Sequence, residues 1–130
     1  MRKTFGFDKS EKLKSRKQIE ELFSRGQSFN VQPIRVIYQI VDAVTGAASV
    51  QVGVTANKKS FKKAVDRNRI KRLLRESYRL QKTPLVDQLK GGTKKLNVFF
   101  MYSGKELPSF YEIKHSMAAC LEKLQTQAKE

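Results

Sequence analysis

Ala64-Val65-Asp66-Arg67-Asn68-Arg69-Ile70-Lys71-Arg72-Leu73-Leu74-Arg75-Glu76 superimposes two patterns on one helical repeat. The spacing predicts a helix over about 63–81. Ile70, Leu73, Leu74, Ser77 and Leu80 fall on one side of it, and Asn68, Arg72, Arg75 and Arg79 on the other. Such a helix buries one side against a sheet and leaves a basic ridge on the other. Asp66 sits near its start, where a negative charge interacts favourably with the helix dipole. Residues 58–82 hold eleven of the 27 Lys and Arg residues against only Asp66 and Glu76, and so carry +9 of the formal +15. Like charges at that density repel one another across a folded surface, and their natural counterpart is a polyanion.

Upstream, Val50, Val52 and Val54 alternate with Ser49, Gln51, Gly53 and Thr55, predicting a strand with one apolar face. Ile34, Val36, Tyr38 and Ile40 share a face of an earlier strand that follows Pro33 and runs to Val41. The segment from Asp42 to Ala48, with Gly46, reads as the hairpin connection between them. Ser15-x-x-Gln18 is a capping-box pattern ahead of Ile19, Leu22 and Phe23, predicting a short helix over about 16–25 that Gly26 stops. Downstream, Leu85, Val86 and Leu89 predict a short helical piece ended by Gly91-Gly92. Leu96 to Tyr102 is apolar on both faces, as a central strand requires. Ser109-x-x-Glu112 is a second capping box before Ile113, Met117, Cys120, Leu121 and Leu124 at helical spacing. The order α-β-β-(β)-α-β-α defines an α+β fold, a small single-domain α/β sandwich. Residues 1–11 lack periodicity and predict a flexible basic arm, 12–124 one domain, and 125–130 a polar tail that frays.

A chain of 130 residues supports one modest core, and 39% hydrophobic with 30% charged residues describes a heavily charged globular domain rather than a disordered basic tail. One cysteine, Cys120, excludes an internal disulfide and a Cys-cluster zinc site, which suits a reducing compartment. After the basic N-terminus only Phe5 and Phe7 follow, without the apolar core of a signal peptide, and no run reaches membrane-spanning length. The expectation is a cytoplasmic protein. Net charge is +5 over residues 1–17, −1 over 18–57 and +2 over 83–130, so two basic zones flank a nearly neutral middle.

Protein-borne catalysis finds little support. His115 is the only histidine, no acidic cluster or activated serine arrangement is present, and Cys120 lies on an apolar stripe as a core residue would. Lys90-Gly91-Gly92-Thr93-Lys94 lacks phosphate-loop spacing and opens no convincing helix.

The run from Ala64 to Glu76 resembles the RNR motif of the bacterial ribonuclease P protein component. The resemblance takes in Val52-Gly53-Val54-Thr55-Ala56-Asn57-Lys58-Lys59, then Lys12-Leu13-Lys14, Phe23, Gly26, Ser28 and Val36-Ile37-Tyr38, and covers about residues 10–124. It implies a left-handed β-α-β crossover through the motif helix, where general connection rules favour a right-handed one. It also implies a subunit that binds the catalytic RNA and the 5′ leader of precursor tRNA, one protein per RNA, with no membrane or DNA partner. Leader removal would be RNA-catalysed, the magnesium ions belonging to the RNA and no cofactor to the protein. Carried over by position, Arg67, Asn68, Arg69, Lys71 and Arg72 would meet the catalytic RNA, with Lys58, Lys59 and Arg75 as neighbours. Phe23 and Tyr38, with Ile19, would line the leader cleft, since aromatic faces stack on unpaired bases without demanding one sequence. The chain departs from the family at Ile19, often Phe, and at Ser60-Phe61, where a Gly commonly follows the Lys-Lys pair. A ribosomal protein is the rival expectation; it would explain the charge but not the ordered series of motifs.

Overall fold

A computed structural model describes residues 9–43 and 48–129. Its elements are α1 (Arg16–Arg25), β1 (Gln27–Val31), β2 (Ile34–Asp42), β3 (Val50–Ala56), α2 (Ala64–Gln81), α3 (Thr83–Leu89), β4 (Lys94–Tyr102) and α4 (Phe110–Gln127). The strands form one mixed sheet in the order β1-β2-β4-β3. β2 pairs antiparallel with β1 and β4, and β3 runs parallel to β4. Two of the caps form as the sequence predicts: Ser15 Oγ accepts from the Gln18 amide at 3.2 Å and Ser109 Oγ from the Glu112 amide at 3.1 Å. Gly26 ends α1 in extended conformation, not a left-handed one. It is glycine for lack of room, since a Cβ there would lie 2.5 Å from the Leu22 carbonyl oxygen.

The connection after β2 is not a hairpin. β4 stands between β2 and β3, so the two strands are not paired neighbours; residues 44–47 of the expected turn, including Gly46, lie outside the described residues. The reason lies in β4, which is apolar on both faces and therefore buries most in the centre. β1, which periodicity did not reveal, is a mostly polar edge strand with only Phe29 and Val31 turned to the core.

Alternation divides the sheet. Val36 and Tyr38 of β2, Val50 and Val52 of β3, and Leu96, Val98 and Phe100 of β4 join Ile70, Leu74 and Tyr78 of α2 and Ile113, Met117 and Leu124 of α4 in the main core. On the opposite face, Ile37 meets Leu13 and Leu22, with Ile19, Phe99 and Met101 packed against them. The buried side of α2 is rotated from the expected one. Tyr78 is fully buried, whereas Leu73 is half-buried and Leu80 is exposed. Positions 70, 74, 77 and 78 form a tighter arc than one including 80, and the tyrosine ring fills the space against Phe100.

Lys9–Glu11, at the end of the stretch expected to be an arm, forms a single 3₁₀ turn, and α4 continues past Leu124 to Gln127. That turn is tied down. The Leu13 amide donates to the Val52 carbonyl at 2.9 Å, Gln51 Nε2 to the Ser10 carbonyl at 2.8 Å, and Glu11 pairs with the buried Lys82 ammonium.

Leu74→Ala is expected to cost about 2–5 kcal/mol by opening a cavity, and Leu80→Ala no more than roughly 0.5 kcal/mol at a surface site, in urea unfolding curves. Cys120 is fully buried, and burial pushes its thiol up to about 12. The thiol therefore stays protonated at pH 8, and iodoacetamide is expected to label only urea-unfolded protein.

Candidate nucleic-acid interface

The basic surface begins in the loop before α2. Asn57 Oδ1 accepts from the Lys59 amide at 2.8 Å and the Phe61 amide donates to the Asn57 carbonyl at 3.0 Å, closing a tight turn. Phe61 is buried against Tyr102, with ring centroids 5.8 Å apart, so Ser60-Phe61 anchors the loop while Lys58 and Lys59 stay exposed. Along α2, Asn68, Arg69, Arg72 and Arg75 are exposed and Lys71 is half-buried. Among the described residues no carboxylate pairs with Lys58, Lys59, Arg69, Lys71, Arg72 or Arg75. Their charge is left for a partner to neutralise.

Two cations of α2 behave differently. Arg67 falls within the buried arc of α2, and its Nη1 donates to the Phe61 carbonyl at 2.8 Å and the Lys62 carbonyl at 3.0 Å. It fastens the loop to the helix. Arg79 pairs with Glu76 one turn back, and its hydrogen bond holds that carboxyl below the usual range.

Arg75 reaches the other side of the sheet, where with Lys12 and Lys14 it borders a concavity of ≈ 200 Å³ floored by Gly53 and Phe99. A Cβ on Gly53 would lie 2.1 Å from the Phe99 ring, so glycine is what allows the ring to lie across β3. Phe23 stands edge-on to Phe99, centroids 5.3 Å apart, and is 48% exposed. Further along the same face a second hollow of ≈ 280 Å³ is bordered by Arg35, Thr55, Asn57 and Met101. The α1 side of the sheet is thus a partly open aromatic floor with cations at its rim.

Tyr38 does not belong to that floor. It is 4% exposed on the opposite face, its ring 5.9 Å from Phe29, and burial raises its phenol above the ordinary value. The expected grouping of Ile19, Phe23 and Tyr38 is therefore corrected: Ile19 and Phe23 lie on the α1 side, Ile19 against the cluster that holds Ile37 of β2 and Phe23 against Phe99 of β4. Strand alternation was the signal, because Tyr38 shares its parity with Ile34 and Val36. Phe99, Met101 and Gly53 were missed because a strand apolar on both faces gives no sign of which side stays open. His115 is exposed, and among the described residues no three His, Cys, Asp or Glu side chains converge as metal ligands would.

Fold and surface together define a small basic α+β protein built to meet a polyanion. A ribonuclease P family model matches residues 7–125. The ribonuclease P protein component of Porphyromonas gingivalis is 41% identical over 118 residues, covering 91% of this chain and 85% of the relative. That of Chlorobaculum tepidum is 31% identical over 141 residues, covering 99% and 92%. The RNase P protein of Thermotoga maritima shares the fold, with a TM-score of 0.66 at 21% identity over 87% of this chain and 96% of that one. The chain belongs to the ribonuclease P protein component family, a subunit of a tRNA-processing ribonucleoprotein, and not to the ribosomal proteins.

Arg72→Ala and Arg75→Ala are expected to leave thermal unfolding unchanged and to weaken RNA binding by about 1–3 kcal/mol each, the cost of a charge-assisted contact. Arg67→Ala should instead lower stability by about 1–3 kcal/mol, because two carbonyls lose a charged donor. Unfolding curves and filter-binding titrations of the three variants check the division.

Proposed function

We propose that α2 and the preceding loop seat this subunit on the ribonuclease P catalytic RNA, through Lys58, Lys59, Asn68, Arg69, Lys71, Arg72 and Arg75, with Arg67 holding the loop in place. The α1 side of the sheet receives the single-stranded 5′ leader of precursor tRNA. Supporting this is one juxtaposition: Arg75 of α2 borders, with Lys12 and Lys14, a concavity at the Phe99 ring, on which the half-exposed Phe23 stands edge-on. Bases of any sequence stack on such a floor while the rim holds their phosphates. Arg forks onto phosphate oxygens and Lys supplies point charges. The protein acts as a monomer, one per RNA, in the cytoplasm. No described helix is long and apolar enough to cross a membrane.

In this proposal the phosphodiester hydrolysis belongs to the RNA and its magnesium ions. What the protein supplies is affinity for the leader, and hence preference for precursor over mature tRNA.

If ~6 phosphates of the catalytic RNA are engaged, the log–log dependence of affinity on salt should have a slope on the order of −4 to −5; a flat titration overturns the electrostatic seat. Phe23→Ala is expected to weaken holoenzyme binding of precursor tRNA by about 1–3 kcal/mol and to leave mature tRNA unaffected. Equal losses for both substrates would remove the leader from this face.

A further inference from the structure

The stretch just before α1 is mounted on the outside of the sheet. β3 is the outermost strand on that side, and Lys12 makes a parallel bridge to Val52 along its edge. Leu13 sends its amide to the Val52 carbonyl and packs its side chain with Leu22 and Ile37. Gln51 Nε2 donates to the Ser10 carbonyl at 2.8 Å. Residues 9–14 are therefore a strap laid along β3. Its remaining fastening is of another kind. Glu11 forms an ion pair with Lys82, the residue that caps the C-terminus of α2, and the two side chains are only 17% and 8% exposed.

A pair so far out of water is a costly way to hold a strap. Desolvating both charges offsets much of their attraction, and apolar side chains of similar size often hold as firmly. What charge supplies is dependence on one partner. A strap displaced by one residue would leave both buried charges uncompensated, so the pair fixes the register of residues 9–14 along β3. That register matters because the residues next to Glu11 line the concavity at the Phe99 ring, where Lys12 and Lys14 stand exposed with Arg75. Arg75 and Lys82 lie about two turns apart on one side of the same helix. Thus α2 supplies one cation of the concavity directly and, through Lys82, sets the place of the other two.

We propose that Glu11 is a positioning residue for precursor tRNA, acting through Lys82: the pair holds Lys12 and Lys14 at the distance from Arg75 at which the phosphates of one single strand meet all three. The proposal rests on the reading that the 5′ leader lies on this face. It adds that a carboxylate sets the rim, so that a negative charge improves the binding of a polyanion.

That sign makes the test. Glu11→Gln makes the protein more positive, and by general electrostatics should tighten every RNA complex. Positioning demands the opposite for one substrate. In reconstituted holoenzyme, Glu11→Gln is expected to weaken precursor tRNA binding roughly tenfold, the worth of one charge-assisted contact, with mature tRNA and catalytic RNA bound no more weakly than before. Hydrogen exchange at the Leu13 amide should accelerate in the same variant, reporting release of the strap. Exchanging the charges, Glu11→Lys with Lys82→Glu, should recover precursor binding. Gln51→Ala removes a neighbouring tie without altering charge and should show the same selective loss to a smaller degree; it carries the test if the charge variant does not fold. Precursor binding that is unchanged or tighter in Glu11→Gln overturns the positioning role, as does an unaltered exchange rate at Leu13. Failure of the underlying reading looks different: Lys12→Ala with Lys14→Ala would then leave the preference for precursor intact, whereas failure of positioning alone leaves that double variant selectively impaired.

Discussion

Everything in this molecule depends on holding α2 against the sheet while its outer side repels itself. The competing magnitudes decide the outcome. Burying Ile70, Leu74 and Tyr78 completely contributes about 1.5–3 kcal/mol for each large side chain. Like charges one turn apart on a helix cost a few tenths of a kcal/mol per pair, and salt near 0.15 M screens them beyond about 8 Å. Packing therefore wins without the cations being neutralised internally. Among the described residues the segment's ion pairs are Arg79 with Glu76 and Lys82 with Glu11, both toward the end of α2 remote from the Lys58–Lys63 loop. The free charge is left where the loop and the first turns of the helix can present it together.

The two faces of the sheet divide the remaining work. One face is closed completely by α2, α3 and α4, and it sets the rigidity of everything mounted on it. The other is covered only in part, by α1 and by Leu13 ahead of it, so Phe99 and Met101 are half-buried there. Small residues matter in that arrangement. Gly53 keeps β3 thin enough for the Phe99 ring, and the ring in turn fixes the edge-on position of Phe23. A few ångströms of missing side chain thus shape a floor from residues far apart in the chain.

Much of this was legible in the residues themselves. Both capping boxes, the central character of β4, the burial of Cys120 and the exposure of the basic side of α2 follow from spacing alone, because local hydrogen bonding and burial periodicity act over a few residues. What stayed hidden was non-local. The position of β4 between β2 and β3 depends on which strand gains most from burial on both faces, a comparison no window of sequence contains. Tyr78 could not be told from Leu80 as the buried member, because both flank the apolar arc and only the shape of the space against Phe100 selects the ring. The resemblance groups Tyr38 with Phe23 by position in the family, whereas its parity along β2 places it with the core.

The placement of β4 carries a further meaning for biosynthesis. A ribosome delivers the chain from the N-terminus at roughly 5–20 residues per second, so α2 emerges before the strand that must join β2 to β3. Until Tyr102 is out of the exit tunnel the sheet has no middle, and Ile70, Leu74 and Tyr78 have no completed surface to cover. For that interval the nascent chain displays an amphipathic, strongly cationic segment beside a particle made largely of RNA. Completion of a single strand near the C-terminus is the event that withdraws the greasy side and leaves only the charged one on view.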